Sequence, residues 1–136
     1  MSYVVWCDMF SVGVPFIDHQ HQWLINLLNR FHELFSQGKA APVVEKVLTQ
    51  LIRYADKHFH DEEQLMLSAR YPDIEAHKKL HETLVIDIFK LQEDMQNKAF
   101  DAHALELFLN MWIVRHILVE DKKLQKYCVD FINFRA

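Results

Sequence analysis

Histidine is the residue type that this chain over-uses, with nine in 136 residues that include only two glycines and three prolines. Five of them, His21, His58, His77, His81 and His116, stand with Glu62 and Asp121 in a pattern that could ligate metal. His58 with Glu62, and His77 with His81, are i, i+4 pairs, which on a helix lie on one face a turn apart. Each pair can converge on one point. Five imidazoles and two carboxylates exceed the three or four protein ligands that suffice for a tetrahedral zinc site, so two ions fit better. Carboxylates from Glu62 and Asp121 can bridge a pair of ions. The mixture suits iron, manganese or zinc and is too rich in nitrogen for calcium or magnesium. No cysteine falls in the cluster, which argues against an iron–sulfur centre. The Glu-x-x-His pairs of ferritin-like carboxylate bundles are absent from the sequence.

Such ligands need elements that aim them, and the apolar periodicity supplies four helices. The first sixteen residues, with Trp6, Phe10 and Val12, read as an apolar arm ending before a helix over 17–37 with Asp18 as its N-cap. Ile17, His21, Leu24, Leu28, Phe31 and Phe35 step by threes and fours along it, and Gly38 closes it. Pro42 opens a second helix, 42–67, whose stripe runs Val44, Leu48, Leu51, Ala55, His58, Glu62 and Leu65. Pro72 opens a third, 73–96, with Ile74, His77, His81, Leu84, Ile88, Leu91 and Met95 inward. The fourth, 101–131, carries Ala102, Leu105, Leu109, Trp112 and His116, after which the apolar phase restarts at Asp121, Leu124 and Cys128. The step of five from His116 to Asp121 turns the side chain off the seam, so either Asp121 reaches across or a single π-type turn, a rare feature that clusters at functional sites, absorbs the extra residue. Short connections imply an all-α, antiparallel, up-down-up-down four-helix bundle with an N-terminal arm, one domain over 1–136.

In that bundle the polar residues of the seam fall at one depth. His21 is early in the first helix, His58 and Glu62 late in the second, His77 and His81 early in the third, His116 late in the fourth. A single seam histidine is most simply a core residue satisfied by a carbonyl. Several together, with a carboxylate, would cost several kcal/mol each if uncompensated, against a total stability of roughly 5–15 kcal/mol. A shared metal is the simplest compensation. His19, His32, His60 and His103 lie off the stripes and read as surface residues.

With 15 Lys+Arg against 19 Asp+Glu and no basic cluster, the chain lacks the footprint of a nucleic-acid binder. No apolar run has transmembrane length, and no basic n-region precedes the apolar residues at the start. Cys7 and Cys128 read as reduced core residues of a cytoplasmic protein.

His21, then His58-Phe59-x-x-Glu62-Glu63, then His77-x-x-x-His81, then His116-Ile117-x-x-x-Asp121 resembles the hemerythrins. The resemblance extends to Trp6, to the run from Ser11 to His21 and to Tyr71-Pro72-Asp73, and so covers nearly the whole chain. It implies two iron ions, one on His77, His81 and His116 and the other on His21 and His58. Glu62, Asp121 and an oxide or hydroxide would bridge them. The two-His ion would keep an open position for O2, held reversibly as a hydroperoxide with no change in the net charge of the site. Leu24, Phe59, Trp112 and Ile113 would form an apolar pocket that keeps water out. The resemblance thus implies oxygen storage, delivery or sensing, with an oxygen-consuming protein as one conceivable partner. No general base, nucleophile triad or phosphate loop marks an enzyme. Peroxide or nitric oxide reduction, and iron buffering, are the competing uses of such a site.

Overall fold

The computed structural model describes residues 4–38, 41–97 and 102–128. It is a four-helix bundle with an N-terminal arm. Helix α1 spans Pro15–Ser36, α2 Ala41–Ser68 and α3 Ile74–Gln96. Helix α4 begins as Ala102–Asn110, continues as a π-helical stretch over Met111–Glu120 and tightens into a 3-10 turn at Asp121–Leu124. α1 packs against α2 and α4, and α2 against α3. Among the described residues no helix is long and apolar enough to cross a membrane.

The start of α1 differs from the expectation that Asp18 caps it. Pro15, whose fixed φ suits a first helical position, begins the helix, and the Asp18 amide already bonds the Val14 carbonyl at 2.9 Å. The Asp18 carboxylate instead reaches back to the arm, accepting the Val12 amide at 2.8 Å and the Ser11 hydroxyl at 2.6 Å. Farther out, Asn29 clamps the arm by accepting the Val4 amide at 2.7 Å and donating to its carbonyl at 2.8 Å. Gly38 stands just past α1 at φ +67°. The α2–α3 turn is made without glycine. Arg70 takes φ 57°, while its amide bonds Leu67 and that of Tyr71 bonds Met66, the paired bonds of a Schellman ending.

The apolar core is divided. One cluster, with Leu24, Leu28, Phe31, Leu48, Leu51, Ile88, Leu109 and Ile117, fills the length of the bundle. A second, with Val12, Val14, Ile17, Leu65, Met66, Tyr71, Leu124 and Cys128, closes one end. Cys7 is exposed and Cys128 buried, so only the latter is the core cysteine that the sequence suggested. Between the clusters every helix contributes polar side chains, and these form the site.

Candidate metal centre

From α1, Ile17 points into the end cluster and Leu24 into the main one, and His21 lies between them, fully buried. The same alternation places His58 and Glu62 on α2, between Ala55 and Leu65, and His77 and His81 on α3, between Ile74 and Leu84. On the fourth helix, His116 and Asp121 fall between Ile113 and Leu124. The Asp121 amide bonds the carbonyls of both His116 and Ile117. Bonding five residues back widens the turn, so a side chain five positions on returns toward the same face. That brings the Asp121 carboxylate within 3.0 Å of His116 Nε2. The π-helical bonding extends over Met111–Glu120, well beyond the single turn that the spacing left open.

The seven side chains converge. His21 Nε2 and His58 Nε2 are 3.0 Å apart, and His21 Nε2 lies 3.0 Å from Asp121 Oδ2. Glu62 approaches His58 at 3.2 Å, His77 at 2.8 Å and His81 at 3.3 Å, while Asp121 Oδ1 lies 3.0 Å from His77. Two donors in adjacent positions on one ion, with bonds of about 2.1 Å, stand about 3 Å apart. The observed separations have that size. Several of these atoms, among them His81 Nε2, His116 Nε2, Glu62 Oε2 and both Asp121 oxygens, are buried without a hydrogen-bond partner among the described residues. His21 Nε2 pairs with His58 Nε2 and His77 Nε2 with Glu62 Oε1, but the remaining atoms crowd together without partners, as ligand atoms facing a common centre would. The donors also divide into two groups, Glu62, His77, His81, His116 and Asp121 in one and His21, His58, Glu62 and Asp121 in the other, with the two carboxylates common to both. The residues present therefore fit a pair of bridged ions.

Electrostatics within the layer are strong. Burial alone would drive His21 and His77 neutral, but contacts with Asp121 and Glu62 outweigh it and raise their pKa values to about 9 and about 10. His116 moves up for the same reasons, whereas burial prevails at His58 and lowers it. Burial works against ionised Glu62 and Asp121, and the surrounding imidazoles more than offset this, holding both well below the usual carboxylate range.

Around the ligands stand residues that periodicity did not single out. His58 Nδ1–H donates to Gln20 Oε1 at 2.8 Å, and Gln20 Nε2 donates to Asp61 at 2.8 Å, which leaves His58 Nε2 free to ligate. His81 is stacked flat on Phe59 with ring centres 4.0 Å apart, and its Nδ1 lies 3.6 Å from Glu63. Beside the layer is a small cavity walled by Leu24, Phe59, Trp112, Ile113 and Ile117 together with His58, His116 and Asp121 of the layer. His19, His60 and His103 are exposed as expected, but His32 is half-buried and paired with Glu106, a buried carboxylate on α4. That pair lies off the helical seam, which is why the stripe did not reveal it.

Residues 12–128 match the model of the hemerythrin HHE cation binding domain. A bacteriohemerythrin of Pseudomonas aeruginosa (strain LESB58) is 31% identical over 121 residues, covering 89% of this chain and 78% of the relative. A bacteriohemerythrin of Methylococcus capsulatus (strain Bath) is 33% identical, covering 90% of this chain and 94% of the relative. A crystal structure of wild-type hemerythrin superposes with a TM-score of 0.86 at 29% identity, covering 94% of this chain and 99% of the other. With the match running through every helix and both arms of the donor set, the chain belongs to the hemerythrin family.

Proposed function

We propose that this chain, acting as a single cytoplasmic domain, holds two iron ions in the polar layer and binds dioxygen reversibly without turnover, for storage, delivery or sensing. The observation that carries this reading is the division of the buried donors into two groups that share Glu62 and Asp121. His77, His81 and His116 would hold one ion, and His21 and His58 the other, with an oxide or hydroxide as a further bridge. Three imidazoles on one ion and two on the other leave room for a ligand beside His58. The cavity at that place offers about 10 Å3 to the centre of a water-sized molecule, the room of one small ligand. Two ferrous ions would lend dioxygen two electrons and take them back on release.

The protein's own residues account for reversibility. Leu24, Phe59, Trp112 and Ile113, all buried, present carbon to the cavity and deny water the hydrogen bonds that would hold it there. Gln20 fixes the His58 ring, and the carboxylates offset charge in a layer whose seven side chains are all buried. Ile113→Asn adds a polar group to that wall and should shorten the lifetime of the oxygenated protein; an unchanged lifetime removes Ile113 from this role.

Anaerobic iron reconstitution, with iron counted per chain and visible spectra taken under dioxygen and then argon, tests the reading. About two irons and a charge-transfer band that appears in dioxygen and fades in argon are expected. Iron that is oxidised at once and irreversibly points to a redox enzyme or an iron sensor.

A further inference from the structure

Two cavities open on the groove between α2 and α3, and each shares one wall with the small cavity beside the metal layer. The larger, about 470 Å3, lies over Phe59 and His81 and is rimmed by His60 and Glu63. The smaller, about 220 Å3, is lined by Ile52, Val85, Ile88, Phe89 and Trp112, with exposed Arg53 at its mouth. Phe59 thus separates the larger cavity from the inner one, and Trp112 separates the smaller cavity from the inner one.

The two walls are held differently. Phe59 is stacked on His81 at 4.0 Å and 12°, and its ring also lies against those of His58 and His116. Moving it would disturb three rings of the metal layer. Trp112 meets Phe59 edge-on at 5.8 Å, and its indole N–H, though buried, has no hydrogen-bond partner among the described residues. Packing alone sets its rotamer, and turning it breaks no hydrogen bond. The smaller cavity is also the more apolar path, since its lining is mostly carbon with only Arg53 and Asp56 ionisable, whereas Asp56, His60, Glu63, Lys78 and Glu82 all line the larger one and hold water there. Small neutral molecules partition into an apolar passage, and hydrated ions do not.

We propose that dioxygen and similar small neutral molecules reach the metal layer through the smaller groove cavity, and that Trp112 is the gate that sets their rate of passage and their upper size. The assignment rests on the dioxygen reading above. A gate governs entry and exit alike. It changes both rate constants by one factor and leaves the equilibrium alone, which a merely structural residue would not do.

The test uses the iron-loaded protein, with dioxygen association followed by stopped flow and dissociation by trapping. Trp112→Ala should raise both rate constants by about tenfold with iron content unchanged, and Ile52→Trp, which fills the smaller cavity from α2, should lower both by about tenfold with affinity and iron content unchanged. Ile52→Trp is the decisive variant because Ile52 lines the smaller cavity but neither the larger one nor the inner one. Rates unaltered by it place the passage elsewhere and overturn the proposal. Xenon-pressurised crystals separate this result from a failure of the dioxygen reading. Xenon in the smaller groove cavity of the parent protein, lost in Ile52→Trp, supports the passage even if dioxygen oxidises the iron irreversibly. No xenon there overturns it.

Discussion

His58 makes two demands on its surroundings, one lone pair free on Nε2 and a ring that does not rotate, and Gln20 meets both by accepting Nδ1–H while Asp61 holds the amide in place. Gln20→Leu keeps the bulk and removes the acceptor. Loss of such an outer partner commonly costs 10–100-fold in metal affinity, so about that loss is expected here, confined to one ion of the pair. Titration against a competing ferrous chelator should show two sites becoming unequal; a uniform fall at both would assign Gln20 to packing. A second residue-scale prediction concerns protons. In the metal-free protein His21 and His77 are protonated at neutral pH, with pKa values raised to about 9 and about 10, and both must be neutral to ligate. Loading with Fe²⁺ in weakly buffered solution near pH 7.5 should therefore release protons, and metal affinity should weaken as pH falls. The linkage for folding has the opposite sense. Because the folded-state values lie above 6.5, these histidines stabilise the metal-free fold fully below about pH 6.5, and that contribution is lost as pH rises through 9 to 10. Calorimetric melting of the metal-free and loaded forms across pH 6–10 checks both senses at once.

At the scale of the element, two helix endings show the same backbone conformation reached with different residues. Gly38 has φ +67°, and a Cβ added there would meet nothing within 4 Å, so Gly38→Ala isolates the conformational cost, about 1 kcal/mol by chemical denaturation. Arg70 bears that strain already at φ 57°, so Arg70→Gly should gain stability, by about 0.5 kcal/mol once the greater freedom of the unfolded glycine chain is deducted. Neither substitution should alter iron content, since neither residue belongs to the polar layer. Helices were the most legible feature of the sequence, because steps of three and four carry the buried stripe in plain sight: Leu24, Leu28, Phe31, Leu48, Leu51 and Ile88 all face inward. The layer at one depth was legible for the same reason. What the pattern did not carry was everything decided across helices. Gln20 is significant only because His58, thirty-eight positions away, lies 2.8 Å from it, and Glu106 only because His32 faces it. The step of five from His116 to Asp121 left a reach across the helix and a single π-type turn both open, and neither told how far the bonding would spread, since hydrogen-bond register along Met111–Glu120 leaves no mark on residue type.

For the molecule as a whole, the metal layer is closed on both sides by carbon, and the thinner side is the end built from the arm. Val12 and Val14 come from the arm, Leu65 and Met66 from the end of α2, Tyr71 from the turn, and Leu124 and Cys128 from the last helix, so this plug joins segments far apart in sequence. Lys122 ties it further by donating to the Ser11 carbonyl at 2.6 Å. Burial pushes the Cys128 thiol up to about 11, assisted by the charge of Glu62, so the plug keeps that cysteine protonated and unreactive. Because the arm is held, among the described residues, by five side-chain hydrogen bonds and its valines rather than by a continuous helical ladder, its attachment should be the first part of the structure to open, and its opening should let solvent toward Glu62 and Asp121. Val12→Thr tests this with little change of shape. Val12 is 1% exposed, and a buried hydroxyl without a partner costs about 1–3 kcal/mol. If arm opening is the route of iron loss, the same 1–3 kcal/mol should appear as roughly 5–150-fold faster extraction of iron by a strong chelator, alongside the fall in stability to denaturant. Val5→Thr, at a site 70% exposed on the same arm, should leave both quantities unchanged. A destabilised Val12→Thr protein that still releases iron at the parent rate would show that the arm holds the fold together without guarding the metal layer, and that iron leaves by opening of the helices themselves.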